Sequence, residues 1–399
     1  MSSPTDPKHI VVIGAGITGL TAAYRLLKNA SAADYLGPPI TVTIVESSAT
    51  VGGKIRTSPF GGISAIDEGP DAFLARVPWA TQLASELGLG SSMTSPTDAH
   101  ASIWHNGMHN IPGDLMLGVP AKVRAFATSG LISPLGKLRA AIEPLLPTTT
   151  DTDSIGDYVR SRFGNQIHER LVDPLIGSIY ATDSDHFSMA AVPQVAALTA
   201  SRSMLFAAGR ARTAATKSPA GPIFSTPTRG LGALIELLTQ RVTALGGRIL
   251  TGESVSAIEK VNNNYTVSTS RGQHRADAIV IASPAKPSSH FVRPLDERAA
   301  DLLGEWSHAS VVLITMAIPA SQWPARLKRS GYLVPKPDQR WVSAASFGSN
   351  KWAHWRPDDG SMILRVSLGR DGLEVMHFHN DKLINLALAD MKLHLGVDM

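Results

Sequence analysis

Residues 10–13 ("IVVI") are four consecutive β-branched apolar positions, and from Thr18 to Leu27 the apolar positions recur at helical spacing. The first pattern predicts a strand buried on both faces, as in a parallel sheet, and the second an amphipathic helix. A second apolar run, "ITVTIV" at 40–45, predicts another strand after a loop at "SAADYLGPP". Further on, "DSIGDYVRSRFGNQIHERLVDPLIGSIY" carries a 3.6-residue period with caps and predicts helices. Residues 226–242 read as a turn and an amphipathic helix. "GRILTGESVSAIEKVNNNYTVSTS" reads as short strands around an Asn-rich hairpin turn, and "ADAIVIASPA" (276–285) as a buried strand ending at a Pro turn. "HASVVLITMAI" (308–318) and "SMILRVSLG" (361–369) predict two more strands. The mixture places the chain in the α/β class.

Between the first strand and helix, "HIVVIGAGITGL" spaces Gly14, Gly16 and Gly19 as G-x-G-x-x-G. Each glycine has its own physical reason. Gly14 permits the sharp turn, Gly16 lets a pyrophosphate approach the backbone, and Gly19 lets the helix pack close to the strand. The N–H groups at the helix start then face the anion. Glu46 ends the second strand, where a carboxylate accepts hydrogen bonds from the adenosine ribose and repels a 2′-phosphate. The dinucleotide site read from this unit takes in Gly14, Ala15, Gly16, Ile17, Thr18, Gly19, Glu46 and Ser47.

Composition narrows the chemistry. The 399 residues exceed one ordinary core and contain no cysteine, which excludes disulfides, thiolate metal sites and a Cys nucleophile. Lys and Arg outnumber Asp and Glu by only 37 to 33, without a basic run, so nucleic acid is not an expected partner and an anionic small molecule is a natural one. No stretch reaches the ~18 uncharged apolar residues of a spanning helix. The apolar region 189–209 is broken by Pro193 and Arg202 and reads as buried helix, with peripheral membrane contact left open. Arg202, Arg210, Arg212 and Lys217 read as a solvated helix face that could also meet carboxylates or a phospholipid surface. His377 and His379 in "HFH" have strand spacing; without a third ligand they read as an exposed strand face rather than a metal pair, so no metal site is assigned. There is no nucleophile elbow and no catalytic dyad.

"SSATVGGKIRT" follows Glu46 directly, and its Gly52, Gly53, Lys54, Arg56 and Thr57 resemble the second fingerprint of amine-oxidase-like flavoproteins. "AIDEGPDAFLAR" (65–76) resembles the D-x-G-P-D-S-F segment of the protoporphyrinogen and coproporphyrinogen oxidase family, with Ala72 at the Ser. "LVDPLIGSIYATDSDHFSM" (171–189) resembles its P-L-x-G-x-Y-A-G-D segment, with Thr182 in place of Gly. "HNGMHNIPGDLMLGVP" matches its hairpin, and "AASFGSNKWAHWRP" (344–357) resembles the S-x-K-W segment of the coproporphyrinogen-type enzymes of Gram-positive bacteria.

This resemblance implies FAD, a discontinuous Rossmann-like FAD-binding domain (1–90 and 222–290), a helical domain (113–221) and an antiparallel-sheet substrate domain (91–112 and 291–399). It adds Gly52, Gly53, Lys54, Asp67, Glu68, Gly69, Pro70 and the strand backbone at Val255 to the cofactor residues. It nominates Arg56 and Arg76 for the substrate's propionates, with His100 or His105 nearest to a further cation. No side chain is assigned as catalytic, because the flavin carries the chemistry.

The implied reaction is oxygen-dependent oxidation of coproporphyrinogen III to coproporphyrin III in haem biosynthesis, with hydrogen peroxide as by-product. It implies a cytoplasmic enzyme and a handover of product to a ferrochelatase. Protoporphyrinogen IX as substrate is the alternative; an amine oxidase or carotene desaturase is the rival enzymatic reading. The family also closes with a glycine-rich strand and helix facing the flavin pyrimidine. The sequence stops at "MKLHLGVDM" before one, so a fragment or truncated product is expected. It would hold FAD weakly or act as a non-catalytic flavin or porphyrin binder.

Overall fold

The computed structural model describes residues 6–148, 152–215 and 221–397. The chain forms two compact units. One gathers residues up to 60, 64–95 and 223–307; the other gathers 61–63, 96–222 and 308–399.

The first unit is built on a four-stranded parallel sheet. Strand β1 (Lys8–Ile13) leads through the glycine turn into helix α1 (Ile17–Ala30) and then strand β2 (Ile40–Val45). The order is Arg248–Leu250, β2, β1, Ala278–Ile281. Alternate β1 residues face opposite sides. Ile10 and Val12 join a core with α1 and helix Gly232–Ala244, while Val11 and Ile13 pack with Ile258, Val267 and Phe291. Both faces are covered, which is why residues 10–13 of β1 are all apolar and Val42, Ile44 and Val45 of β2 are buried. The second covering layer is the antiparallel sheet Val255–Val261, Asn264–Thr269 and Gly272–Ala276. Its first hairpin turns at Asn262, in the left-handed region at φ 56°, the turn read from the Asn-rich stretch.

The second unit has a six-stranded sheet in the order Val312–Ile318, Met362–Leu368, Val342–Phe347, Gly331–Leu333, Ala101–Trp104, Met108–Asn110. All neighbours are antiparallel except Gly331–Leu333 with Ala101–Trp104. Helix Asn380–Leu395 covers one face through Leu383, Ala387 and Met391. A separate helical core gathers Phe126, Ile155, Val159, Phe163, Leu171 and Leu198. The 189–209 stretch contributes two helices, Pro193–Thr199 and Met204–Ala215, to that core. Inside it Arg162 and Glu143, 1% and 0% exposed, form an ion pair with two guanidinium contacts at 2.8 and 2.5 Å.

Three local expectations change. His377 and His379 sit in a turn leading into helix Asn380–Leu395, not on a strand, because the chain leaves the sheet at Leu368 and bends at Gly369 and Gly372. Thr182 carries no left-handed backbone. Ala181 does, at φ 53°, as the cap of helix Asp173–Tyr180, so the turn does not need glycine at 182. Asp183 of the same segment is buried and paired with Lys336, and Asp173 accepts from Arg370 at 3.1 Å. Of the basic group in the helices, Arg210 donates to Ser201 Oγ and Arg212 to the Leu115 carbonyl, while Lys217 lies outside the described residues.

Candidate functional site: a dinucleotide cradle

The three glycines of the turn meet different surroundings. Gly14 has φ +102°, and a Cβ there would stand 3.0 Å from the Ala282 carbonyl oxygen. A Cβ on Gly19 would stand 1.9 Å from the Gly14 oxygen, so helix and turn could not both keep their places. Gly16 is different: nothing lies within 4 Å of where its Cβ would be. Two glycines are therefore needed for the protein's own packing, and one opens the backbone to space outside.

The second glycine pair lies directly against this opening. Gly52 donates its N–H to the Ala15 carbonyl at 2.8 Å and forms a parallel bridge with Gly16. A Cβ on Gly53 would touch the Gly16 Cα at 3.4 Å. Gly52 and Gly53 have φ of +106° and +60°, which side chains other than hydrogen adopt at a cost. The two fingerprints, separated by more than thirty residues, thus form one rim. Helix α1 begins at Ile17 with no side chain capping its N-terminus, and Thr18 is exposed.

Glu46 closes the far side. One carboxylate oxygen accepts from the Ala15 N–H at 2.7 Å, the other from the Ser48 N–H at 2.8 Å and from Ser47 Oγ at 3.3 Å. Burial pushes this carboxyl up, but the Ser48 and Ala15 N–H donors outweigh it and hold the pKa below the ordinary value. The residue stays an anion, so it can accept from hydroxyls and repel a phosphate.

The segments after Gly53 lie close to one another. Glu68 donates its N–H to the Arg56 carbonyl at 2.9 Å, and a Cβ on Gly69 would stand 2.5 Å from the Lys54 carbonyl oxygen. Lys54, Arg56, Glu68, Pro70 and Arg76 are exposed. Asp67 faces the protein: its Oδ1 accepts from Thr57 Oγ1 at 2.5 Å and from the Leu231 N–H at 2.9 Å, anchoring the start of helix Gly232–Ala244. Thr57 Oγ1 in turn accepts from the Gly232 N–H at 2.9 Å. Sequence reasoning missed this Thr57–Asp67–Leu231 clamp, since nothing in the spacing links residue 57 to 231. Val255 is half-buried on the covering sheet, where it packs with the Val11 and Ile13 side of the core. In the second unit His105 is paired with Asp338 at 2.7 Å, whereas His100 is exposed.

The open Gly16, the glycine rim, the uncapped helix start and the ionised Glu46 together fit an adenine dinucleotide, its pyrophosphate on the turn and its ribose toward the carboxylate. The sequence pattern of flavin containing amine oxidoreductases matches residues 17–398. The chain belongs to that family. It is an FAD-dependent oxidoreductase, and its mixed α/β fold is that of the family. Within the family, the coproporphyrinogen III oxidase of Bacillus subtilis is 30% identical over 397 residues, covering 96% of this chain and 82% of the relative. The protein of that name from Staphylococcus aureus is 29% identical, covering 96% of this chain and 83% of the relative. A crystal structure from Exiguobacterium sp. 255-15 superposes with TM-score 0.82 at 27% identity, covering all of this chain and 84% of that one. Among the described residues, no helix is long and apolar enough to cross a membrane.

Proposed function

We propose that the chain is an oxygen-dependent flavin oxidase that converts coproporphyrinogen III to coproporphyrin III in haem biosynthesis. The observation that carries this reading is the 30% identity, across 96% of the chain, to a protein bearing that activity's name. The substrate loses six hydrogens, and three molecules of dioxygen leave as three of hydrogen peroxide. When bound, the flavin supplies the two-electron acceptor for each step.

The chain's own residues bind, orient and select. Gly14, Ala15, Gly16, Ile17, Thr18 and Gly19 receive the pyrophosphate at the start of α1, with Gly52, Gly53 and Lys54 on the rim. Glu46 and Ser47 take the adenosine ribose, and the backbone at Val255 meets the adenine. Asp67, Glu68, Gly69 and Pro70 form the wall beside Lys54 and Arg56. Residues 1–90 and 222–290 serve as the FAD domain, 113–221 as a helical domain, and 91–112 with 291–399 as the substrate domain. Arg56 and Arg76, exposed and without an acidic partner among the described residues, suit carboxylates of the substrate. A cytoplasmic site of action, transient contact with a membrane surface and handover of product to a ferrochelatase belong to the same proposal.

Purified, FAD-reconstituted protein tests it. Anaerobically prepared coproporphyrinogen III, on admission of air, should give coproporphyrin fluorescence and about three peroxides per porphyrin. Faster turnover of protoporphyrinogen IX would move the reading to the dicarboxylate. Turnover of an amine with neither porphyrinogen oxidised would overturn it.

A further inference from the structure

The second unit gathers charge of both signs around one buried histidine. His168 opens a π-helical turn, His168–Val172, between helix Ile155–Phe163 and helix Asp173–Tyr180, and is 3% exposed. Its Nε2 lies 2.8 Å from Ser184 Oγ and its Nδ1 lies 3.3 Å from Arg160 Nη2. The direction of each bond follows from the neighbours. The Ser184 hydroxyl donates to Asp173 Oδ1 at 2.7 Å, so toward the ring it only accepts, and Nε2 carries the proton. Arg160 has only N–H groups to offer, so Nδ1 is a lone pair. One neutral tautomer satisfies both ring nitrogens.

A second proton finds no acceptor. On Nδ1 it would point at a guanidinium that is itself held by Asp185 at 2.6 Å and Asp157 at 2.9 Å. The ring has no room to turn away. A Cβ on Gly156 would stand 2.9 Å from Nε2 and 2.1 Å from the Asp185 carboxylate, so helix Ile155–Phe163 already lies against both. Arg160 does have room. Its side chain is 29% exposed, and with Glu169, Lys336 and Pro337 it borders a recess of about 300 Å³ that also reaches His168, Asp173 and Asp185.

The remaining charges around the ring are anchored from the sheet side. Asp173 accepts from Arg370 at 3.1 Å, Asp183 is paired with Lys336, and Asp371 donates its N–H to the Ala181 carbonyl at 3.0 Å. Asp185 Oδ1 lies 3.4 Å from Nε2, and Glu169 is half-buried on the ring's own turn. Burial, which dominates, and the Arg160 cation hold the ring's pKa below its ordinary 6.5, against Asp185, Asp173 and Asp183. On the helix side the joint is thinner: Gly156 and Ile155 donate their N–H groups to the Ser184 and Phe187 carbonyls at 2.8 and 3.1 Å.

We propose that His168 is a proton-operated latch. A proton taken up at Nδ1 expels Arg160, frees Asp185 and parts helix Ile155–Phe163 from the 183–187 turn, while the six-stranded sheet stays folded. The parted ring takes the proton at its ordinary 6.5 and the latched ring only at a lower pH. Parting is therefore favoured by about tenfold for each pH unit below 6.5, until the latched ring also titrates. The latch goes beyond the porphyrinogen reading and does not depend on it.

Two measurements on the FAD-loaded full chain test it. Hydrogen exchange, corrected for the intrinsic rate, compares the amides at 155–156 and 183–187 with strand Met362–Leu368. Nitrogen NMR on histidine-labelled protein reads the tautomer and titration of the ring. The 155–156 and 183–187 amides should exchange about tenfold faster at pH 5 than at 7.5, with the strand unchanged. The neutral ring should carry its proton on Nε2 and titrate below 6.5. His168→Gln keeps a neutral donor toward Ser184 but takes up no proton, and should lose the acid response. Arg160→Gln removes the opposing cation, so the ring should titrate at a higher pH and the acid response should shrink. It keeps the proposal testable if His168→Gln folds poorly. His394→Phe, at a second buried histidine, is the control and should respond like the unaltered protein. A neutral ring protonated on Nδ1, a titration unmoved in Arg160→Gln, an acid response kept in His168→Gln, or equal loosening of the strand would overturn the latch. No arm uses a porphyrinogen or turnover, so failure of the latch and failure of the enzymatic reading are told apart.

Discussion

Glu46 and Ala15 are joined by a 2.7 Å hydrogen bond from the Ala15 backbone N–H to the Glu46 carboxylate. The contact ties the end of β2 to the inside of the glycine turn, and it is made by the same carboxylate that would accept from a ribose. Glu46→Gln keeps the shape but turns one acceptor into a donor facing a backbone N–H. FAD affinity, measured by flavin fluorescence, should fall about tenfold, the scale of one lost charge-assisted hydrogen bond. The folded pKa of Glu46 lies below its ordinary 4.5. Its contribution to stability is therefore complete above about 4.5 and lost as pH falls through the folded value. The unaltered protein should lose stability with acid more steeply in that window than Glu46→Gln does, as read by urea midpoints between pH 6 and 3.

Gly16 and Gly19 separate a ligand role from a packing role. Gly16→Ala meets open space and has an ordinary backbone, with φ −71° and ψ 178°. It should fold with a Tm within a few degrees of the parent and bind FAD at least about tenfold more weakly, because the new methyl group occupies the approach to the backbone. Gly19→Ala would place a Cβ 1.9 Å from the Gly14 oxygen and should lower the yield of folded protein even with FAD in excess. If Gly16→Ala bound FAD like the parent, the pyrophosphate would have to lie elsewhere.

The Arg162–Glu143 pair is the most deeply placed charge in the helical core. Glu143 also accepts from Ser203 Oγ at 2.6 Å and from the Met204 N–H at 2.9 Å, so it is a hub for three segments. Arg162→Met leaves the carboxylate buried without its cation and should cost about 3–5 kcal/mol. Chemical denaturation of the unit's helical signal measures this. A loss below about 1 kcal/mol would mean that the pair is not desolvated in solution.

His394 gives the second unit its own acid response. Its ring is buried against Trp104, with centroids 4.3 Å apart, and Nδ1 lies 3.0 Å from the Tyr332 hydroxyl. Burial, which dominates, and the Arg340 cation lower its pKa, while Asp390 and Asp338 oppose them; the result is about 4 against an ordinary 6.5. The fold favours the neutral ring. The stabilisation is whole above about 6.5 and disappears as pH falls toward 4. Tm should drop over that interval, and His394→Phe, which keeps an aromatic ring against Trp104, should flatten the drop.

The local grammar of the cradle was legible from the sequence. Four β-branched residues, three spaced glycines, a helical period and a strand ending in Glu46 each reflect a short-range rule: backbone freedom, face periodicity, a carboxylate at a strand end. The strands at 312–318 and 362–368 and the Asn hairpin were legible for the same reason. The readings that failed were also local. "HFH" matches strand alternation but follows two glycine turns, and the left-handed turn position, for which the resemblance has glycine at 182, falls one residue earlier, on Ala181.

Taken by itself, the sequence determined which segments are strands and helices, which faces are apolar and where glycine opens the backbone, because those depend on neighbours a few residues apart. Partners at long range were decided only by tertiary structure. Gly52 came to lie on Gly16, Ala278–Ile281 joined β1 from more than 260 residues away, and Asp67 came to accept from Thr57 and from the Leu231 N–H. The same holds for Arg160, Asp173, Ser184 and Asp185, ordinary polar residues in sequence, which the fold gathers around the His168 ring. Periodicity states that a face must be covered or a charge exposed. It does not state by what, since that choice depends on the whole set of competing contacts.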